Sequence, residues 1–375
     1  MRVIVCPDSF KGSLSAIEAA EAISQGVKKA CEGCEVVRIP LADGGEGTVE
    51  AVVRVICGEI RRIRVRDPLM REIDSFFGLI DGGQTAVIEM AAASGLGLLL
   101  PDERDPAVTT TYGVGQLIEA AVESGARRLI IGVGGSATND AGAGAIAALG
   151  VRFLDAHGCD LPPGGLALAE LERIDVSGLR FPVGKVEVLI ATDVTNPLCG
   201  PDGASLVYGP QKGASPELAV QLDRALRRFA DGLADEIGKD VSELRGAGAA
   251  GGLGASLAAF LSGRLTSGID LILDLVGFDE EITHADLVIT GEGSVDEQTV
   301  FGKTIAGVIK RANAVGVPVV ALAGSISGDL TDLHKLGLTS AFSLVPRPMD
   351  TREAMENAAK LLEASSFQIM RLFAA

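Results

Sequence analysis

Short apolar runs alternate with helical patterns along most of this chain, and glycine-rich loops join them. An apolar run at residues 3–6 is followed by a helical pattern at 15–30, where Ser15 and Glu18 have the spacing of a capping box. A second pair of the same kind covers residues 36–56. Buried, Val-rich strands that alternate with helices are typical of parallel sheets. The sequence therefore predicts an α/β fold.

The pattern changes at residues 61–90, where short alternating strands predict a hairpin with its turn at residues 81–83. Three later apolar runs, at 285–290, 317–323 and 341–345, resemble the first strand. A length of 375 residues favours two domains. The simplest assembly joins residues 1–65 and 281–375 in one parallel-sheet domain and inserts 66–280 as a second, mixed α/β domain. The functional site is then expected in the cleft between them.

Composition narrows the classes of partner. Acidic residues outnumber basic ones by 50 to 33, which gives a net charge of −17, and no Lys/Arg block supplies the phosphate-neutralising charge that nucleic acids need. No run reaches the roughly 20 apolar residues of a membrane span, and residues 1–5 lack the features of a signal peptide. We therefore expect a cytoplasmic protein that binds neither nucleic acid nor membrane.

Six cysteines are present, and only Cys31 and Cys34 form a C-x-x-C pair. One such pair without a second pair or a His partner is weak support for zinc. We expect reduced cysteines at a helix end, as is usual in the cytosol. A redox role or a local disulfide is the alternative.

Four loops share one design, in which Gly, Ser or Thr and a charged residue follow an apolar strand and precede a helix. They cover residues 7–13, 41–48, 132–144 and 289–304. Loops at the carboxyl ends of parallel strands bind ligands in open α/β sheets, and glycine lets the backbone approach a phosphate. A single loop of this kind is more often only a tight turn. Four of them favour a site built from at least two.

These loops carry side chains suited to phosphoryl transfer. Carboxylates that follow predicted strands could hold Mg²⁺ together with phosphate oxygens, and these are Asp8, Asp43, Asp193, Glu292 and Asp296. The loop lysines able to meet a phosphate or a carboxylate are Lys11, Lys212 and Lys303. Each lysine taken alone is more often a solvated surface residue.

Known nucleotide motifs are incomplete here. The segment 302–304 supplies the end of a Walker A loop, but Glu297 stands where its first Gly belongs. Residues 132–137 fit G-x-G-x-x-A, with Asp155 further on, which resembles a dinucleotide-binding turn. Tyr208 and Lys212 have the spacing of a dehydrogenase pair, but the intervening Gly-Pro would break the helix that such a pair needs. An NAD-dependent oxidoreductase acting on a small hydroxy acid is therefore the alternative function.

Eight segments, in order along nearly the whole chain, resemble the type-1 glycerate kinase family. They are DSFKGS at Asp8, ADGGEGT at Ala42, EMAAASG at Glu89, GGSATND at Gly134, ATDVTNP at Ala191, YGPQKGAS at Tyr208, GAGAAGG at Gly246 and GEGSVDEQ at Gly291.

The resemblance implies that the chain transfers the γ-phosphate of ATP to (R)-glycerate with Mg²⁺ and forms 2-phosphoglycerate. Glycerate and ATP would be its partners. The implied fold has two α/β domains, a Rossmann-like or flavodoxin-like one with a second inserted in it. The oligomeric state is left open, with a homodimer among the options.

Within this resemblance we assign roles as hypotheses. Catalysis is expected of Asp193, Lys11 and Asp296, and Asp193 and Asp296 are also the expected Mg²⁺ ligands. Substrate binding is expected of Ser9, Asp43 and Asn139, with Ser9 and Lys11 at the glycerate carboxylate or the transferring phosphoryl group. Contacts to ATP phosphates are expected of Gly134, Gly135, Ser136 and Lys303.

Overall fold

The computed structural model describes residues 1–242, 244–300 and 304–374, without the side chains of residues 298 and 300. Within these residues the strands are β1 Arg2–Val5, β2 Glu35–Arg38, β3 Glu59–Arg66, β4 Glu72–Ile80, β5 Thr85–Glu89, β6 Arg128–Gly132, β7 Arg152–Leu154, β8 Arg173–Asp175, β9 Glu187–Ala191, β10 Arg264–Thr266, β11 Leu287–Val295, β12 Val319–Ile326 and β13 Leu338–Ser343. The α-helices are α1 Ala16–Ala30, α2 Thr48–Ile56, α3 Ala91–Ser94, α4 Tyr112–Glu123, α5 Ala143–Ala148, α6 Ala204–Tyr208, α7 Pro216–Ile237, α8 Ala249–Leu261, α9 Gly268–Leu275, α10 Phe278–Ile282, α11 Thr304–Ala314, α12 Thr331–Leu336, α13 Thr351–Glu356 and α14 Ala358–Phe373.

The chain divides into two compact units. The first unit comprises Met1–Asp43, Glu50–Cys57 and Ile269–Ala375, and the second comprises Gly44–Val49 and Gly58–Gly268. The predicted domain boundaries, after residue 65 and after residue 280, stay predictions. The predicted functional site in a cleft between the two domains also stays a prediction.

The first unit contains a five-stranded parallel sheet. Its strand order is β2-β1-β11-β12-β13, and each neighbouring pair is parallel. β1 and β11 are neighbours in this sheet. From β1 the chain continues to β2 at one edge of the sheet, and from β11 it continues to β12 in the opposite direction. This is the 2-1-3-4-5 order of flavodoxin-like folds, in which the switch point lies between the first and third strands, here β1 and β11. The predicted parallel-sheet domain of an α/β protein is confirmed.

Helix α1 begins as its sequence predicts. The Ser15 hydroxyl accepts from the Glu18 N–H (3.2 Å), and the Glu18 carboxylate accepts from the Ser15 N–H (2.9 Å), which completes the capping box. Further along α1, a Cβ on Gly26 would lie 2.2 Å from the Glu363 carbonyl oxygen of α14. Glycine at this position therefore allows the backbones of α1 and α14 to approach closely.

The second unit contains a mixed sheet. Its strand order is β10-β9-β6-β5-β4-β3, in which β10 to β5 are parallel, and β4 and β3 continue antiparallel. The predicted hairpin turn is confirmed, since Asp81–Gly83 forms a 3-10 turn between β4 and β5. The core of this unit includes the ring contacts of Phe153 with Phe229 and Phe260.

Cys31 and Cys34 are joined by a disulfide between the end of α1 and the start of β2. The expectation of two reduced cysteines is therefore wrong in this structure, and the alternative of a local disulfide holds. Among the residues described, no helix combines the length and the apolar character required to cross a membrane.

Candidate active site

A cavity of about 590 Å³ opens at the carboxyl edge of the parallel sheet in the first unit. We call it the sheet-edge cavity. Its polar side comes from the loop after β1, from Asp43 and from the end of β11, and includes Asp8, Ser9, Lys11, Asp43, Glu292 and Ser294. Because β1 and β11 flank the switch point of the sheet, the cavity lies where open α/β sheets bind their ligands.

Asp8 lies in the loop after β1 and is held in place by the neighbouring strand β11. Its N–H donates to the Gly291 carbonyl of β11 (2.8 Å). The Ser9 N–H donates to one carboxylate oxygen (2.5 Å), and the Thr304 hydroxyl donates to the other (2.5 Å). Both oxygens therefore have a fixed orientation in a largely buried position.

The pKa of the Asp8 carboxyl is raised from its ordinary 3.8 to about 6. Burial is the main cause of this rise, and the negative charge of Asp43 is the second cause. The hydrogen bonds from Thr304 and Ser9 and the charge of Lys11 oppose this rise in pKa. A carboxylate with a pKa near neutrality is suited to accept a proton from a hydroxyl group at physiological pH.

The charge of the sheet-edge cavity is strongly one-sided. Among its described lining residues, Lys11 is the single Lys or Arg, against the four carboxylates of Asp8, Asp43, Glu292 and Asp350. An anionic ligand in such a cavity needs Lys11, backbone N–H groups or a bound cation to offset the negative charge.

The end of β11 approaches β12 closely beside this cavity. A Cβ on Gly324 would lie 2.7 Å from the Gly293 carbonyl oxygen, so only glycine fits there without a shift of the backbone. The Ser325 hydroxyl donates to the Ser294 hydroxyl (3.0 Å) across the same two strands. These contacts fix the position of the two strand ends, which form part of the cavity lining.

Asp193 lies in the second unit, in the loop after β9. Its carboxylate accepts from the Gly268 N–H (2.9 Å) and from the Ser267 hydroxyl (3.2 Å). Asp296 lies in the first unit, where the Thr299 hydroxyl donates to its carboxylate (3.5 Å) and accepts from its N–H (3.1 Å). Their joint role at a metal ion stays a prediction. Lys303 lies outside the described residues.

The loop after β6 lies in the second unit. The Gly134 N–H donates to the Gly44 carbonyl (3.3 Å), while Gly135 is exposed with a positive φ of 73°. Ser136 is buried. The fully buried Asn139 amide donates to the Ser205 hydroxyl (2.9 Å). The roles of these four residues towards ATP and substrate stay predictions.

The dinucleotide-binding interpretation of this loop does not hold. Helix α5 begins only at Ala143, whereas a G-x-G-x-x-A turn must lead directly into the helix whose N-terminus binds the pyrophosphate. The loop serves another purpose at Asp140, whose buried carboxylate accepts from the Thr111 N–H (2.8 Å) and hydroxyl (2.9 Å). Asp140 therefore joins the loop to the start of α4.

Lys212 differs from a solvated surface lysine. It is 1% exposed, and its ammonium group donates to the Thr138 carbonyl (2.7 Å). Burial lowers the pKa of Lys212 to about 7, although the charge of Asp140 opposes this change. Lys212 thus supports the loop after β6 from inside the second unit.

The described residues hold no group of three or more His, Cys, Asp or Glu side chains arranged to bind a metal ion. An all-protein metal centre is therefore absent from that part of the chain.

Comparison with known proteins decides the family. Residues 3–374 match the model of the glycerate kinase family. The chain belongs to this family. Its members are phosphotransferases, and the predicted family is confirmed.

Named relatives agree along nearly the full length. The chain is 50% identical over 369 residues to a glycerate kinase of Bacillus subtilis (strain 168), covering 98% of this chain and 97% of the relative. It is 44% identical to a glycerate 2-kinase of Escherichia coli (strain K12), covering 96% and 94%. A crystal structure from Salmonella typhimurium LT2, assigned as glycerate kinase 2, has a TM-score of 0.88 and 43% identity, covering 100% and 98%.

Two parts of this cavity, Asp8 and the apolar side, were given no functional role from the sequence. Asp8 was one of five strand-end carboxylates, and no role was given to it. Its position in the chain could have indicated a role, because Asp8 follows β1, one of the two strands that flank the switch point. The apolar side of the cavity, with Leu344, Met349 and Met355, had no sequence signal because these residues follow β13 in no recognisable motif.

Proposed function

We propose that this enzyme transfers the γ-phosphoryl group of ATP to (R)-glycerate in the cytoplasm, with Mg²⁺, and releases 2-phosphoglycerate and ADP. The observation that carries the proposal is the position of Asp8, a carboxylate with a raised pKa, in the same cavity as Lys11 at the switch point of the sheet. The family of the chain and the names of its relatives support the acceptor.

Lys11 and Ser9 are the groups proposed to bind the glycerate carboxylate. Lys11 is the single cationic side chain among the described lining residues, and Ser9 follows Asp8 directly. An ammonium group and a hydroxyl both donate hydrogen bonds to a carboxylate. With its carboxylate bound by Lys11 and Ser9, glycerate would present its hydroxyl groups to the carboxylates that line the same cavity.

Asp8 is proposed as the general base for the hydroxyl that attacks phosphorus. Its pKa of about 6 leaves it mostly ionised at neutral pH yet basic enough to take a proton as the new O–P bond forms. Asp43, on the same side of the cavity, is proposed to accept from the second hydroxyl of glycerate. Positioning of this kind is the main contribution that kinases make to the reaction.

The donor set proposed for magnesium fits that ion, because both of its residues are carboxylates with hard oxygen atoms. Asp193 and Asp296 are the residues proposed to hold the ion together with phosphate oxygens. When bound, Mg²⁺ would neutralise charge on the transferring phosphates. The described lining residues of the cavity include four carboxylates and one lysine, so a polyphosphate bound there would need that cation.

A coupled assay of ADP release tests the proposal. We expect ADP only when ATP, Mg²⁺ and glycerate are all present, and little with glycerol or larger sugar acids. Phosphorus NMR of the product distinguishes 2-phosphoglycerate from 3-phosphoglycerate. ATP consumption that does not depend on glycerate, or NADH oxidation in its place, would overturn the proposed reaction.

Lys11→Met provides a residue-level test of the same proposal. We expect a rise in KM for glycerate of about tenfold or more, because a charge-assisted hydrogen bond to the acid is lost. Lys310→Met is the matched control, since Lys310 is an exposed lysine of the same unit outside the cavity lining. Equal effects of both substitutions would contradict the role of Lys11.

A further inference from the structure

The sheet-edge cavity has a second side that the proposed acid does not require. Opposite in character to the carboxylates, this apolar wall consists of Phe10, Leu344, Val345, Met349, Met355 and Leu361. These residues come from the loop after β1, from the segment after β13, from α13 and from α14. Glycerate carries a carboxylate and two hydroxyl groups, so it has little surface to place against such a wall.

The size of the cavity also exceeds the need of a three-carbon acid. Its volume of about 590 Å³ lies within the range of roughly 300–1,000 Å³ that is typical of sites for whole cofactors and drug-sized ligands. One ligand with a polar tail and a flat apolar head would use both sides of it. A nucleoside triphosphate has this distribution of polar and apolar surface.

We propose that the apolar wall binds the purine base of the nucleotide, so that the first unit holds the nucleotide. This inference rests on the proposed function, which requires ATP. Thioether side chains suit the task, since methionine sulfur makes favourable contacts with aromatic rings and adapts its shape to them. Met349 and Met355 would lie against the base, with Leu344 and Val345 beside them.

The wall is attached to the loop that carries Lys11. The Ser13 hydroxyl donates to the Met355 carbonyl (2.8 Å). A Cβ on Gly12, which has a φ of 75°, would lie 2.9 Å from the Met355 methyl carbon. The two sides of the cavity are thus joined at one point of contact. A base against Met355 would direct its phosphates towards the polar side of the cavity.

Methionine-methyl NMR tests the inference without turnover. The chain has six methionines, of which Met349 and Met355 line the cavity, while Met90 and Met370 are buried and serve as internal controls. With ¹³C-methyl methionine we expect ADP to shift the signals of Met349 and Met355 through the ring current of the base. Inorganic triphosphate, which has no base, should leave them nearly unchanged. Met349→Leu and Met355→Leu assign the two signals.

Two outcomes of this titration would overturn the inference. One is an ADP-induced shift confined to Met70 of the second unit. The other is a shift of the Met349 and Met355 signals by glycerate but not by ADP. A protein that shows the expected ADP shifts but no glycerate-dependent ADP release would retain the nucleotide site and lose the proposed function, so the two failures are distinguishable.

Steady-state kinetics provide the second measurement. Met355→Asp places a charge against the base and is expected to raise KM for ATP by about tenfold or more, with the KM for glycerate within about twofold of wild type. Val315→Asp is the matched control, because Val315 is likewise exposed on the first unit (49% against 37% for Met355) but lies outside the cavity lining. A Met355→Asp enzyme with an unchanged KM for ATP would refute the proposed subsite.

Discussion

The substitution Asp8→Asn tests both the chemistry and the physical cause of the raised pKa. In the folded protein the pKa of Asp8 is about 6, against an ordinary 3.8. The fold therefore prefers the protonated carboxyl. Stability from this group is fully present below about 3.8 and is lost as the pH rises through about 6. Asparagine has no such proton to lose, so the substitution removes this dependence.

The magnitude follows from the two pKa values. A tenfold change in an equilibrium corresponds to about 1.4 kcal/mol, so the difference between 3.8 and about 6 amounts to ~3 kcal/mol. Between about pH 4 and about pH 7.5, wild type should lose this amount of stability relative to Asp8→Asn. Because Asp8 is largely buried, solvent screening reduces this figure only moderately.

Urea unfolding followed by far-UV circular dichroism measures the difference. Both proteins are unfolded at several pH values from about 4 to about 7.5, and the difference in the free energy of unfolding is plotted against pH. The chain has no tryptophan, and both of its tyrosines, Tyr112 and Tyr208, lie in the second unit. Tyrosine emission therefore follows the second unit separately.

The same variant should lose activity while it gains relative stability. Removal of a general base is expected to lower kcat by about 10²- to 10⁴-fold. A stability difference between the two proteins that is constant across the pH range would refute the raised pKa. An Asp8→Asn enzyme with near wild-type kcat would refute the catalytic role.

Three further predictions concern the surroundings of this site and the second unit. Thr304→Val removes a hydrogen bond that lowers the pKa of Asp8, so the acidic limb of the kcat/KM profile should move to higher pH by up to ~1 pH unit; an unmoved limb would show that Asp8 does not govern it. Asp193→Asn is expected to lower kcat at least about a hundredfold in the ADP-release assay, and turnover near that of wild type would exclude Asp193 from the reacting centre. Asp140→Ala leaves the Thr111 N–H without its buried acceptor and should lower the free energy of unfolding by ~3 kcal/mol or more by urea titration; a loss below ~1 kcal/mol would contradict the role of Asp140 as a structural centre.

Features that depend on neighbours in the chain were predicted correctly from sequence. The capping box of Ser15 and Glu18 is a local exchange of hydrogen bonds, and the hairpin turn at Asp81–Gly83 depends on local backbone freedom. The parallel sheet followed from the alternation of buried strands and helices. The family followed from ordered glycine-rich segments that the family match then confirmed.

The chemical character of the individual side chains depended on contacts between distant segments. The pKa of Asp8 is raised by burial and by the charge of Asp43, and the hydrogen bond that it accepts from the Thr304 hydroxyl spans 296 residues of sequence. From the sequence, Lys212 resembles a surface lysine because its own segment is a polar loop. Only the tertiary structure shows that Lys212 is buried and that its ammonium group donates a hydrogen bond to the Thr138 carbonyl.

The amino-acid sequence by itself therefore determined the fold class, the family and the set of loops in which the site had to be sought. Only the tertiary structure showed that burial raises the pKa of Asp8 and that an apolar wall shares its cavity. The physical reason is that strand periodicity and turn chemistry are local properties, whereas desolvation and charge proximity are set by which distant segments pack together.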